Sequence, residues 1–261
     1  MRPTASFALV AIVLSASSAC AHRALVAPTV SHPVTIAALR AAPSALAEAG
    51  SGRFEMHTIA DGLEAAGEVT SAGVFARGVL AMDLDLGAVL TQAAHGSGRS
   101  VPSAFDGQSR IVIDGSTVYV RIPMLHELTG EPGWLSMTSA ELGAQGPGGF
   151  QASALDPVRM VDTLRGVVGE VQEVGHDTVR GVSTTHVTST LSAGQEMEVW
   201  IDAEHLVRRL RFVVDGVREL GAVTTTIELF DYGVPIDVDV PGPGEAIAFA
   251  DLVREFMSAG V

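Results

Sequence analysis

The chain has 261 residues but only one cysteine, Cys20, so no disulfide can form within it. It contains no lysine and no asparagine, and its 16 basic residues, all arginine, face 30 acidic residues, which gives a net charge of −14. A nucleic-acid partner is therefore not expected, because binding phosphate groups requires a basic surface. After the N-terminal segment, no stretch reaches the roughly 18 consecutive apolar residues that a membrane-spanning helix requires.

Motifs for catalysis are also scarce. The sequence has no G-x-S-x-G, no H-E-x-x-H and no glycine-rich phosphate loop between a strand and a helix. His176 and His186 are placed to meet across a hairpin, either as a weak metal site or as ordinary residues at strand ends. A hydrolase with an unusual site would have to use His95 or Ser97, and no further triad spacing supports it. We therefore expect no enzymatic activity, no metal and no cofactor.

The N-terminus carries the clearest local signal. Arg2 is followed by an apolar run over residues 7–14 and then by small residues up to Cys20, which predicts a secretory signal peptide over residues 1–19. Ser17-Ser18-Ala19 before Cys20 resembles a bacterial lipobox, in which the thiol receives a diacylglycerol, although Ser17 replaces the usual large aliphatic residue. The alternative is ordinary signal-peptidase cleavage, which would release a soluble protein. We favour lipid attachment, with residues 21–33 as a tether and residues 34–261 as the folded domain.

Alternation with a period of two residues is clearest over residues 195–215, which predicts a β-hairpin with its turn at residues 202–205. Such alternation gives a sheet one dry face and one wet face. Trp200 falls on the wet face, where it is either covered by another element or contacts a ligand. Three arginines on the second arm are expected to pair with acidic residues of the hairpin or to contact lipid headgroups. The arginines are Arg208, Arg209 and Arg211, and the acidic residues are Glu196, Glu198 and Glu204.

Other segments predict more strands and three helices. Asp114-Gly115 between two β-branched runs indicates a second hairpin. Asp156-Pro157 marks the start of a helix whose apolar face includes Val168. Further helices are expected over residues 34–49 and from Phe249 onwards, a loop with Trp134 over residues 125–149, and an extended segment over residues 236–244. The total is nine to eleven strands, mostly antiparallel because their connections are short, in one sheet with helices on its dry face.

Three segments resemble a known family of envelope proteins. They are residues 175–182 with the following 184–187, the run Val199-Trp200-Ile201-Asp202 with residues 206–209, and residues 230–236. Together with Cys20 and the helix at Asp156, they make the chain similar to the LppX/LprG-type actinobacterial lipoproteins of the LolA-like group. The likeness extends over nearly all of the mature chain.

This resemblance implies an α+β fold: a single strongly curved antiparallel sheet, or incomplete β-barrel, with helices covering its concave face. It implies a lipid or lipoglycan ligand held between sheet and helices, carriage of that ligand within the cell envelope, and an anchor on the outer side of the cell membrane (or, without lipidation, secretion). The alternative is a regulatory or envelope-stress module that binds a partner protein. Each residue expected to line the cavity can instead be plain core. These residues are Val118, Val120, Met197, Val199, Ile201, Leu210, Phe212, Ile227 and Leu229.

Overall fold

The structure, a computed structural model, describes residues 34–60, 67–85, 87, 108–121, 133–141, 156–191, 194–214 and 222–258. All of them belong to one compact unit, Pro33–Val261. The helices are α1 (Ile36–Ala49), α2 (Pro157–Asp162), continued by a 3-10 helix (Thr163–Gly166), and α3 (Phe249–Ser258). The strands are β1 (Ser51–Ala60), β2 (Gly67–Ala76), β3 (Val79–Asp85), β4 (Gln108–Asp114), β5 (Thr117–Arg121), β6 (Trp134–Thr138), β7 (Val167–Val179), β8 (Val182–Leu191), β9 (Glu196–Ile201), β10 (Val207–Val214), β11 (Val223–Phe230) and β12 (Ala246–Ala248).

All twelve described strands form one sheet, in the order β12-β6-β5-β4-β3-β2-β1-β11-β10-β9-β8-β7. Neighbouring strands are antiparallel except for β12, which runs parallel to β6. The two edges, β12 and β7, do not pair with each other, so the described strands do not close into a barrel. The predicted single, mostly antiparallel sheet with a few helices is confirmed, with one strand more than the highest number expected.

The sheet is strongly curved. This follows from one hydrogen bond of α2 and from the short distance along the chain between α2 and β7. The Arg159 Nη2 atom of α2 donates to the Gly115 carbonyl in the β4–β5 turn at 3.2 Å, and β7 begins only eight residues later. In a flat sheet β4 and β7 would lie eight strand spacings apart, which is about 38 Å. The ten residues of α2 and the 3-10 helix span only about 15 Å. The edge of the sheet at β7 must therefore bend back toward the β4–β5 turn.

Local sequence explains where the helices begin and end. The Thr35 hydroxyl accepts a hydrogen bond from the Ala38 amide at the start of α1, and Gly50, with φ of 72°, ends it. The Asp156 carboxylate caps α2 with Pro157 at the first helical position, as predicted. However, α2 changes to a 3-10 helix at Thr163 and β7 follows. Val168, predicted on the helix face, is therefore a strand residue with 40% exposure.

Two other expectations for the loops differ from the structure. Part of the predicted loop over residues 125–149 is strand β6, whose residues Trp134–Thr138 pair with β5. The predicted extended segment at 236–244 lies between β11 and β12 and belongs to none of the described strands. Over residues 236–240 the side chains alternate between half-buried and exposed, with Asp237 and Asp239 exposed. The predicted hairpins at residues 195–215 and around Asp114-Gly115 are confirmed.

Candidate functional site

The inner face of the sheet, against which the helices pack, is the candidate functional site. Residues that pair across antiparallel strands point to the same side of the sheet. One such row crosses the centre of the sheet from β3 to β8, and apart from one serine on β2 its members belong to the hydrophobic core. The row consists of Leu84, Ser71, Met56, Ile227, Leu210, Val199 and Val187.

The nine residues expected to line a cavity all belong to this inner face. Eight of them are core residues, none more than 7% exposed, and Phe212 is half-buried against the same core. The helices contribute their own apolar side chains to the layer. Those with at most 8% exposure are Leu39, Ala42 and Leu46 from α1, Met160 and Val161 from α2, and Leu164 from the 3-10 helix.

The layer between the sheet and the helices is tightly packed. Val187, Val199 and Ile227 are 0% exposed. A side chain without accessible surface borders no void large enough for a water molecule. In this structure these side chains are therefore closed to solvent.

Two arginines connect the helices to the sheet by hydrogen bonds to backbone carbonyls. Arg40 of α1 donates to the Val167 carbonyl at the start of β7, through Nε at 3.1 Å and Nη2 at 2.6 Å. Arg159 of α2 makes the contact with the Gly115 carbonyl described above. Both contacts therefore join a helix to the sheet through an arginine side chain.

Three buried serine hydroxyls have no hydrogen-bond partner among the described residues. They belong to Ser71, Ser109 and Ser189, which are 2%, 1% and 5% exposed. By contrast, the inner hydroxyls of Thr58 and Thr225 lie 3.3 Å apart and pair with each other. None of the three serines is among the residues predicted to line a cavity. The sequence could have identified them, because each is a serine at a position where the alternation predicts an apolar residue.

The outer face of the sheet carries a network of ion pairs. Arg180 donates to Glu55 and, at 2.7 Å, to Glu228, which also accepts from Arg209 at 2.6 Å. Burial alone would raise the pKa of Glu228, but the hydrogen bonds from the two arginines lower it below the ordinary value. Each of these arginines thus has a carboxylate partner on the outer face.

The same network covers Trp200, which was predicted on the wet face. The His186 ring stacks on the indole with centroids 4.0 Å apart, and the Arg209 guanidinium lies 5.2 Å from its centre on the neighbouring strand. The indole is consequently only 6% exposed, and its Nε1 donates to Asp177 at 3.3 Å. His186 Nε2 also lies 3.0 Å from the Glu198 carboxylate. Trp200 thus has the structural, covered position that was one of its two expected roles.

The hairpin arginines differ in part from expectation. Arg211 pairs with Glu198, as predicted. Arg209 instead reaches Glu228 on the next strand, and Arg208 pairs with Asp202 at 2.7 Å. The sequence could not anticipate the partner of Arg209, because it lies on β11, outside the hairpin.

The turn between β9 and β10 is held by a buried carboxylate. Asp202, 8% exposed, accepts hydrogen bonds from the amides of Glu204 and Leu206 and from Arg208 Nε. The Arg208 guanidinium lies over the Tyr232 ring, and the Tyr232 hydroxyl donates to a β10 carbonyl. Burial raises the pKa of Tyr232 far above its usual range, so the ring stays neutral. Two of the three segments that carry the family resemblance, residues 199–209 and residues 230–236, therefore contact each other here.

A shallow pocket of about 340 Å³ opens where the β7–β8 turn meets the end of β11. It is lined by Val179, Arg180, Val182, Arg208, Leu229, Phe230 and Asp231. Both arginines are already paired with carboxylates, and of the predicted lining residues it includes only Leu229.

No group of three residues able to hold a metal ion occurs in the part of the chain that the structure describes. His176 and His186 lie on paired strands, where Gly175 faces His186 and Thr185 faces His176. Cys20, His95 and Ser97 lie outside the described residues. None of the described helices is long and apolar enough to cross a membrane.

Comparison with known proteins finds no matching family model. A candidate lipoprotein of Streptomyces coelicolor is 28% identical over 134 residues, which are 49% of this chain and 46% of that protein, so the match spans about half the length of each. Several solved structures are similar. Among them are lipoprotein LppX of Mycobacterium tuberculosis (TM-score 0.49, 16% identity, 80% of this chain and 100% of that chain), LprF of Mycobacterium bovis (0.44, 14%, 80% and 97%) and the MucA/MucB complex of Pseudomonas aeruginosa (0.35, 11%, 74% and 56%). LppX is thus among the proteins to which the chain is similar, as the sequence resemblance predicted.

Proposed function

We propose that the protein is an exported lipoprotein that binds a lipid or lipoglycan between the inner face of the sheet and the helices. The observation that supports this most directly is an apolar row that continues across the strands of a curved sheet, covered by helices that side-chain contacts connect to it. Acyl chains entering this layer would replace contacts between apolar side chains. The driving force is the burial of their surface, about 0.8 kcal/mol for each CH₂ group.

In this proposal binding requires opening of the helical layer. The nine inner-face residues from Val118 to Leu229 named above contact acyl chains once α1 and α2 move away from the sheet. The Arg40 contact with the Val167 carbonyl opposes that movement. The proposal includes no catalytic step, no metal and no cofactor.

The proposal also includes an anchor at the outer side of the cell membrane, from which the protein carries its ligand within the envelope. Diacylglycerol attached to Cys20 supplies two acyl chains, which suffice for stable anchoring, whereas one chain gives only marginal binding. The Streptomyces relative, described as a candidate lipoprotein, supports this part. If Cys20 is not lipidated, the protein is secreted, and metabolic labelling with palmitate distinguishes the two forms by the presence or absence of label on the wild type and on Cys20→Ala.

The test of lipid binding is organic extraction and native mass spectrometry of the Cys20→Ala chain purified from its own host. We expect about one acyl lipid per protein molecule. The Arg40→Met variant, which removes a contact holding α1 to β7, should take up added lipid faster. Arg165→Met is the matched control, because among the described residues Arg165 pairs with Asp162 alone, in an exposed i,i+3 contact, and should leave uptake unchanged. A protein that is empty in native spectra and takes up no lipid contradicts the proposal.

A second candidate function is binding of a partner protein, and the edge strand β7 favours it. This strand has 13 residues, pairs with β8 alone among the described strands, and exposes Val168 by 40% and Val174 by 57%. An exposed edge can accept an extended segment of another protein through backbone hydrogen bonds. Recovery of a stoichiometric envelope protein with a lipid-free chain, and loss of that complex on Val174→Pro, would support this function instead.

A further inference from the structure

The unpartnered serine hydroxyls at the centre of the inner face bear on the class of lipid. Ser71 on β2 and Ser109 on β4 both pair with Leu84 of β3, one on either side of it. Their hydroxyls therefore point into the same layer as the Leu84 side chain, which is 2% exposed. Neither hydroxyl has a hydrogen-bond partner among the described residues.

Such hydroxyls are unusual, because most buried polar side-chain atoms have a hydrogen-bond partner and one left without a partner destabilises the folded chain. The backbone does not satisfy them here, since the carbonyls of β2, β3 and β4 pair in the ladder. An oxygen acceptor brought by a ligand would remove this cost. A pure hydrocarbon chain would not, because it has no acceptor.

The spacing of the two serines limits what that ligand can be. β2 and β4 are two strand spacings apart, so the two hydroxyls lie about 10 Å from each other. A single oxygen could accept from both only if they were within about 5.6 Å. Two separate acceptors are therefore required, one on each side of the Leu84 side chain, and two ester groups of one lipid supply them.

We propose that Ser71 and Ser109 donate hydrogen bonds to two carbonyl oxygens of a diester lipid whose acyl chains occupy the apolar layer. This inference rests on the proposed lipid-binding function and names the ligand class for the same site. The ester groups lie beside Leu84, and the chains extend along the apolar residues of the neighbouring strands. Ser189 has an equally unpartnered hydroxyl, but its strand, β8, is five strand spacings from β2, so it lies outside this contact.

The experiment compares two probes with the full Cys20→Ala chain: dipalmitoylglycerol, and the diether with the same two chains, which lacks both carbonyl oxygens. Titration followed by native mass spectrometry gives the affinity for each. We expect wild type to prefer the diester. Ser71→Ala and Ser109→Ala should each weaken diester binding about three- to tenfold and leave diether binding unchanged. Ser189→Ala, an equally buried and unpartnered serine elsewhere on the inner face, should change neither.

The outcomes separate this inference from the function on which it rests. If wild type binds both probes equally, or the two alanine variants retain full diester affinity, the serine contact is wrong while lipid binding stands. If wild type binds neither probe and is also purified from its host without lipid, the proposed function fails and this inference with it; if it carries host lipid but binds neither probe, this inference alone fails. Urea unfolding adds an independent readout: because the hydroxyls are unpartnered, both variants should be at least as stable as wild type. A clear loss of stability would reveal a protein partner for the hydroxyl and overturn the inference.

Discussion

Replacing Leu39 by alanine tests whether α1 is packed against the inner face of the sheet. Leu39 has no accessible surface and belongs to the same core as the inner-face residues. The substitution removes three carbon atoms, and at about 0.8 kcal/mol each their transfer accounts for about 2.4 kcal/mol. A cavity left in a close-packed layer adds to this cost, and leucine-to-alanine changes in cores generally cost about 2–5 kcal/mol. We expect a loss of about 3–4 kcal/mol in the free energy of unfolding.

Urea unfolding followed by circular dichroism measures this loss. Glu48→Ala is the matched control, since Glu48 lies on the exposed side of the same helix and its replacement should change stability by less than about 0.5 kcal/mol. The amides of α1 should also exchange their hydrogens faster in Leu39→Ala than in the control, because the helix opens more readily. A change below about 1 kcal/mol for Leu39→Ala would refute the packing of α1 described above.

Three further substitutions test other parts of the fold. Glu228→Gln should cost about 1–2 kcal/mol at pH 7, because the carboxylate that two arginines share loses its charge. Since the pKa of Glu228 is lowered on folding, its contribution is present above pH 4.5 and is lost as the pH falls below that value, so urea titrations of wild type and variant should converge in acid. Asp202→Ala should cost about 3 kcal/mol by leaving a mostly buried arginine unpaired, whereas the exposed Asp162→Ala should cost less than about 0.5 kcal/mol in the same assay. Gly73→Ala should lower the thermal midpoint sharply, because a Cβ there would lie 2.3 Å from the Ala81 carbonyl oxygen. An unchanged midpoint would contradict the close approach of β2 and β3.

Local signals in the sequence were sufficient for much of this fold. The alternation in β9 and β10 identified both the hairpin and its buried side, because a period of two residues fixes which side chains share a face. Asp114-Gly115 and Asp156-Pro157 each act within a few residues, so their turn and helix start could be predicted without knowledge of the tertiary structure.

The sequence did not predict β6 and β12, two strands whose pairing partners include segments far away along the chain. β6 has only five residues and β12 three, and their pairing with each other joins segments more than 100 residues apart. Neither is long enough to display a periodic pattern of its own. Residues 236–244, predicted as an extended segment, belong to none of the described strands.

The sequence predicted which residues share the inner face. It did not predict whether they enclose a cavity or form a filled core. The lining residues could be selected because the alternation placed them on one face, and the structure does place all nine there. A residue such as Val199 has the same pattern whether it faces a cavity or a filled core. Only the three-dimensional packing, with no accessible surface left at that position, distinguishes the two. The pattern of Ser71 and Ser109 likewise gained meaning only when the register placed both beside Leu84.

If the closed layer is the binding site, the free energy needed to open it weakens the affinity for the ligand. When only a fraction of molecules is open, the apparent dissociation constant rises in inverse proportion to that fraction, so each 1.4 kcal/mol required for opening weakens binding tenfold. Removing a contact that holds the layer closed must then change stability and affinity in opposite directions. Arg40→Met, which releases α1 from the Val167 carbonyl, should unfold more easily yet bind its lipid more tightly. A substitution that merely damages the fold would lower both the stability and the affinity for lipid. The sign of the change in affinity therefore distinguishes a layer that opens to bind lipid from a layer that is only a hydrophobic core.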